Sequence, residues 1–331
     1  MPKPKLLLHS DWNWAATSPL VYTLQRNTKY AHFGYTKSFK ILEPYFKPTN
    51  TIDKLKPFSQ RGSGALQDLY NRVANGTWEN FKSYDPGTHR LNTTQDLEPL
   101  RDFPLSHFGK LVKGLPTISK YVDFYSALYE HVVKKGYKSV GDTYSLFKPK
   151  TEFIKRFNDT IISEFDVKII FLTRDPVRRA FSKYLSDRQR TEDCPSYGNP
   201  KGVRLNPLPL KLYVKDYIPK ILQYNQIFGE ENIHVVAMED LWEDDGTAKK
   251  ELSDFLDHPI TNLWKNLYAP DRGHLVEYDR DVPCQAYGQN LQELTEDIYY
   301  HYKSKYQYAY DAWEKHYGSL PLHWGKPLKY K

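Results

Sequence analysis

The sequence predicts an α/β protein with a central, mainly parallel sheet flanked by helices. Three observations predict it. Short continuous apolar runs, KLLLH (5–9), VKIIFLT (167–173) and NIHVVAME (232–239), have the length of strands covered on both faces. Segments with apolar residues three and four apart stand between them, the spacing of amphipathic helices. The chain also has 331 residues, ample for a buried core, which we read as one domain over 1–331.

The elements follow in order. KLLLH is the first strand, and the helix after it spans Pro19–Gln25. Thr17 or Ser18 supplies its N-cap and Pro19 suits the first helical position. From Thr49 to about Pro116 the pattern weakens, with Pro, Gly, Asn and Ser recurring among short apolar pieces. We read an irregular or helical insertion at about 50–115. In TISKYVDFYSALYEHVVKKG the residues Tyr121, Phe124, Tyr125, Leu128, Tyr129 and Val132 keep helical spacing. A short SVGD strand follows, then a helix near Lys150–Glu164. The run ending at Thr173 is a central strand, and the helix after it turns Val177, Phe181, Tyr184 and Leu185 inward. YVKDYIPKILQYNQIFG reads as a helix, NIHVVAME as a buried strand and AKKELSDFLD as another helix. LQELTEDIYYHYKSKYQYAYDAWEKHYG reads as one long aromatic helix closed by Gly318.

Composition excludes several classes. Mean hydropathy is −0.70 and no window approaches the length of a membrane span, so no transmembrane segment is expected. The start MPKPKLLLHS has too short an apolar run for a secretory segment, which makes the cytoplasm the expected location. Cys194 and Cys284 are far apart, with no C-x-x-C or H-E-x-x-H spacing, so neither a disulfide framework nor a metal site is expected. Net charge is +7, from 47 basic and 40 acidic residues, which suits an anionic ligand. Basic and acidic residues are interspersed rather than striped, which argues against nucleic acid. The 27 tyrosines and 7 tryptophans suit sugar or base stacking and core filling alike.

Two stretches carry candidate chemistry. SDWNWAATS (10–18) lies between a strand and a helix, where backbone N–H groups and the helix dipole can hold a phosphate. It has neither glycine nor lysine, and Ser18 equally suits a plain N-cap. The second stretch is IIFLTRDPVRRAFSKYLSDR (169–188). It sets Arg174 at the carboxyl tip of a strand and Ser182 about two turns along the next helix. Open α/β sheets bind ligands at that edge, and a guanidinium with a hydroxyl can hold two oxygens of one phosphate. The alternative is a surface or loop-ordering pair of Arg174 and Asp175, with Ser182 an ordinary helix residue.

RDPVRRAFSKY resembles the 3′-phosphate motif of the sulfotransferases that use 3′-phosphoadenosine 5′-phosphosulfate (PAPS), written R-[DN]-P-x-x-R-[AL]-x-S-x-Y. Its anchors stand here as Arg174, Asp175, Pro176, Arg179, Ala180, Ser182 and Tyr184. SVGDTYSLF (139–147), VVAMEDLWEDD (235–245) with ELSDFLDHP, and APDRGHL (269–275) resemble further family elements in the family's order. The resemblance is closest to the carbohydrate sulfotransferases and their bacterial and viral relatives. It covers most of residues 5–50 and 120–290, leaving the insertion uncovered.

The resemblance implies a P-loop-like three-layer sandwich, PAPS as donor with 3′,5′-bisphosphoadenosine (PAP) as product, and no metal. It also implies a hydroxyl- or amine-bearing acceptor, here a carbohydrate. The 5′-phosphosulfate falls to Asn13, Trp14, Ala15, Ala16, Thr17 and Ser18, and the 3′-phosphate to Arg174 and Ser182. Arg272 and Gly273 close over the phosphates, with His274 nearby, while Trp12 and Trp14 flank the turn as stacking candidates. Against the family's K-x-G-T-T wording, Trp14 stands at the lysine and Ala16 at the glycine. Lys37, in AHFGYTKSFKIL, is then the cation for the leaving oxygen, with Ser38 where a glutamate is common. Asp142 is the first candidate for general base, ahead of His9 and Asp11. Trp14 and Ser38 also suit a PAP- or PAPS-binding module without catalysis. An NTP-dependent kinase is disfavoured by the lack of G-x-x-x-x-G-K-[ST].

Overall fold

A computed structural model describes residues 3–11, 20, 24, 30–32, 82–85, 90–93, 99–112, 117–144, 151–180, 216–243, 246–260 and 296–327. Seven strands lie among them: β1 (Lys5–Asp11), β2 (Tyr30–His32), β3 (Lys82–Asp85), β4 (Arg90–Thr93), β5 (Ser139–Tyr144), β6 (Asp166–Thr173) and β7 (Ile233–Ala237). The helices are α1 (Leu105–Val112), α2 (Ile118–Val133), α3 (Thr151–Glu164), α4 (Ile218–Phe228), α5 (Met238–Glu243), α6 (Thr247–Leu256), α7 (Glu296–Lys305) and α8 (Gln307–Tyr317). No described helix is long and apolar enough to cross a membrane.

Five strands form one sheet in the order β2-β5-β1-β6-β7, and every pairing in it is parallel. Such a sheet needs cover on both faces, and the side chains supply it. On one face Leu6, Leu8, Val140, Ile169 and Phe171 join residues of α2, α3, α4 and α8 in the larger core. On the other, Leu7, Ile170, Leu172 and Val236 meet Leu20, Leu24 and α6. β6 lies between the two, with Ile169 through Thr173 all buried. Full burial of each large apolar side chain there contributes about 1.5–3 kcal/mol. The α/β sandwich is therefore the fold that the apolar runs predict.

Local chemistry sets the helix limits. Thr117 caps α2 by accepting the Lys120 N–H at 3.1 Å. Its buried residues, Tyr121, Phe124, Tyr125, Leu128 and Val132, are those expected from their spacing. Gly318, at φ 81°, ends α8 in the left-handed region and donates to Glu314 O. Leu20 and Leu24 are helical and buried, as read for the first helix.

Three expectations are corrected. The NIHVVAME strand stops at Ala237, and Met238 already begins α5. The stretch read as irregular or helical does contain a helix, α1, but it also contains the antiparallel pair β3–β4, which was not expected. Leu100, Phe103, Phe108 and Leu111, within the same stretch, belong to the larger core. The long aromatic helix is two helices, because Tyr306 leaves helical geometry at φ −118°, ψ 26°. Its physical reason is a shared target. Tyr299 and Tyr310 would stand roughly 16 Å apart along an unbroken helix, yet their hydroxyls lie 3.4 Å apart and meet on one carboxylate. Only a break between them permits that.

Candidate active site

β6 ends at Thr173, whose hydroxyl donates to Val236 O of β7 at 3.0 Å. Arg174 and Asp175 follow outside regular structure, and residues 176–180 are helical. Asp175 is the N-cap of that helix. Its Oδ1 accepts the N–H groups of Val177 and Arg178, each at 3.0 Å, and Pro176 occupies the first helical position. The Arg179 N–H then closes the first turn on Asp175 O at 2.9 Å.

The same carboxylate gathers three more donors. Tyr299 OH donates to Oδ2 at 2.7 Å, Gly325 N–H to Oδ2 at 3.1 Å, and Tyr310 OH lies 3.1 Å from both oxygens. Asp175 is 0 % exposed, so this is a fully buried carboxylate with five donors. Burial, then the Asp175 charge, pushes the Tyr299 and Tyr310 phenols far above their ordinary value.

A second buried carboxylate supports the first. Glu239, in α5 just after β7, accepts the Asp175 N–H at 3.0 Å and the Trp324 indole N–H at 2.9 Å. It pairs with Arg178 at 3.7 Å. Burial raises the Glu239 carboxyl above its ordinary value, Arg178 and more weakly Arg174 pull it down, and Asp175 adds to the rise. Arg178 also donates to the Lys326 carbonyl and lies over the Tyr299 ring, 5.7 Å from its centroid. Arg178 is thus committed to the C-terminal segment.

Arg174 is 6 % exposed, and its carbonyl accepts Tyr217 OH at 2.8 Å. The side chain therefore hangs on a backbone fixed by Tyr217 on one side and by the Asp175 cap on the other. The expected alternative of a surface pair is corrected: both residues are buried, and Asp175 turns to five hydrogen-bond donors of the protein. β1 and β6 are neighbours in register, with Asp11 opposite Leu172. The chain leaves β1 and β6 at nearly one level, about 4.8 Å apart across the sheet. Asn13, Trp14, Ala15, Ala16, Thr17, Ser18, Lys37, Ser182, Arg272 and Gly273 lie outside the described residues.

Asp142 sits elsewhere in the sheet. It is opposite Leu8, which is itself opposite Ile169. That level is roughly 15 Å short of Arg174 along the strand direction. Asp142 is 3 % exposed and its charge adds to the burial that raises the Tyr121 and Tyr125 phenols of α2. The centroids of those two rings lie 4.4 Å apart, with the planes tilted by 43°. His9 is buried too, and burial lowers it to about 3, which keeps it neutral and a poor base near pH 7. Among the described residues no group of three or more His, Cys, Asp or Glu could hold a metal ion.

Sequence reasoning missed the Asp175 hub and its distant partners. A local signal existed for half of it, because Asp-Pro before a helix is a cap followed by a favoured first residue. Nothing local marks Tyr299, Tyr310, Trp324 and Gly325 as its partners.

Among solved structures the chain is similar to a sulfotransferase from Alicyclobacillus acidocaldarius. The identity is 16 % and the TM-score 0.44, over 98 % of this chain and 99 % of that one. It is also similar to the sulfotransferase domain of the curacin biosynthetic pathway, at 14 % identity and TM-score 0.42, over 93 % and 98 %. A third is the sulfotransferase domain of the Synechococcus PCC 7002 olefin synthase, at 14 % identity and TM-score 0.42, over 97 % and 96 %. No curated protein sequence matches. The sulfotransferase domain profile matches residues 102–301, more than half of the chain and including β5, β6, Arg174 and Glu239. The chain belongs to the sulfotransferase domain family.

Proposed function

We propose that this enzyme transfers a sulfuryl group from PAPS to a hydroxyl or amine of a carbohydrate acceptor. The observation that carries the donor assignment is the register of β1 and β6. It ends β1 at Asp11 and β6 at Thr173, next to Arg174, on one sheet edge, where an open α/β sheet binds its ligand. The residues fit an anionic nucleotide. Arg174 presents a guanidinium from a backbone held by the Tyr217 hydroxyl and the Asp175 cap, suited to bidentate phosphate contact.

In this reading Arg174 and Ser182 hold the 3′-phosphate. The backbone amides of Asn13–Ser18 and the hydroxyls of Thr17 and Ser18 hold the phosphosulfate, and Arg272 and Gly273 close over it. PAPS, when bound, supplies an activated sulfuryl group on a phosphate leaving group. Lys37 stabilises charge at the leaving oxygen, where Trp14 cannot. Asp142 takes the acceptor proton, and its place beneath α2 means that it does so beside Tyr121 and Tyr125.

The test is transfer of labelled sulfate from PAPS across glycans, lipids, peptides and small phenols. The proposal expects a glycan to be labelled, and labelling to disappear in Lys37→Ala and Asp142→Asn. Labelling of another class alone overturns the carbohydrate assignment. No transfer to any acceptor, with PAP still bound, favours the binding-module reading. Full activity in both variants removes Lys37 and Asp142 from the chemistry. If Asp142→Asn unfolds the chain, Asp142 belongs to the support of α2 instead.

A further inference from the structure

We propose that the C-terminal segment 296–327 is a positioning device for Arg174, working through Asp175. This rests on the reading of Arg174 as a nucleotide ligand. The contact set points to it. Asp175 follows Arg174 directly, and three of its five donors (Tyr299 OH, Tyr310 OH and Gly325 N–H) come from residues 124 to 150 positions away. None is required for the helix cap, which Val177 and Arg178 complete on Oδ1. The remaining ties run to the same place. Trp324 holds Glu239, which holds the Asp175 N–H, and Arg178 donates to the Lys326 carbonyl. Tyr217, whose hydroxyl fixes the Arg174 carbonyl, packs on Trp324 at 5.9 Å and Trp313 at 6.2 Å.

Arg174 is thereby gripped on both sides by groups that the C-terminal segment supports. A guanidinium on a long side chain loses rotamer freedom when it meets a phosphate, and a fixed backbone reduces what is left to order. The break at Tyr306 belongs to the same device, because it lets Tyr299 and Tyr310 reach one carboxylate. Tyr299 and Tyr310 are positioning residues.

A double-mutant cycle tests this, with PAP titrated calorimetrically into the full chain. Tyr299→Phe and Tyr310→Phe each delete one hydroxyl and keep the ring. Each is expected to raise the PAP dissociation constant roughly fivefold. In an Arg174→Ala background the same changes are expected to have no further effect, because they act through Arg174. Ile161→Val, in the core on α3, serves as a variant of matched stability and leaves PAP affinity unchanged. If the tyrosine variants fold and bind PAP as the parent does while Arg174→Ala weakens binding, the device is refuted and the ligand assignment stands. Additive effects of Tyr299→Phe and Arg174→Ala equally overturn it. If Arg174→Ala binds PAP unchanged, the ligand assignment itself fails. Should one tyrosine variant not fold, the other decides.

Discussion

Replacing Asp175 by asparagine separates its two tasks, because asparagine is isosteric but offers only one acceptor oxygen. Placed as Oδ1, that oxygen still caps the helix through Val177 and Arg178, and asparagine is as good an N-cap as aspartate. The other atom becomes an NH₂ facing Tyr299 OH, Tyr310 OH and Gly325 N–H. The phenols can turn and accept, exchanging charge-assisted for neutral bonds at about 1 kcal/mol in all. The Gly325 N–H cannot accept. A buried donor left facing a donor costs about 1–3 kcal/mol. The sum is a loss of roughly 3 kcal/mol. Denaturant unfolding of parent and variant with equal slopes reads it directly. A loss below about 1 kcal/mol would falsify the reading that the second carboxylate oxygen holds the C-terminal segment.

Trp324→Phe should cost about 2–3 kcal/mol in the same assay. It removes the indole N–H that Glu239 accepts at 2.9 Å and shrinks a ring packed 4.4 Å from Trp313. Unchanged stability there would show that Glu239 is satisfied without it. Stability should also fall as pH drops from about 6.5 toward 3. Burial lowers His9 to about 3, so below its ordinary value the unfolded chain takes up a proton that the folded chain refuses. The contribution is intact above pH 6.5 and fades at up to about 1.4 kcal/mol per pH unit. His9→Gln should flatten that limb, and an identical slope in the variant would show that other groups cause it.

Much of this protein was legible because its signals are local. β6 announces itself by unbroken apolarity, and α2 by spacing that puts Tyr121, Phe124, Tyr125, Leu128 and Val132 on one buried face. The Arg174 motif could be read for the same reason, since strand, cap and helix start are consecutive in the chain. The end of α7 could not, because tyrosines line both sides of Tyr306 and no Gly or Pro marks the break. What breaks the helix is a carboxylate more than a hundred residues earlier. Asp142 exposed a related limit. The sequence placed it at a strand, and only the pairing with Leu8 puts it beneath α2 rather than at the sheet edge. The stretch before α2 also hid its core role, because Phe103 and Phe108 pack on Phe124 of α2 rather than following a local pattern.

The central claim is that the edge formed by β1 and β6 is a nucleotide site read by Arg174. Calorimetric titration of PAP and of ATP, each with and without magnesium, tests it most directly. The account predicts that PAP binds without magnesium and far more tightly than ATP. It also predicts that Arg174→Ala weakens PAP by roughly one to two orders of magnitude, the loss of a charge-assisted contact of about 1.5–3 kcal/mol. Magnesium-dependent ATP binding with no affinity for PAP would contradict it.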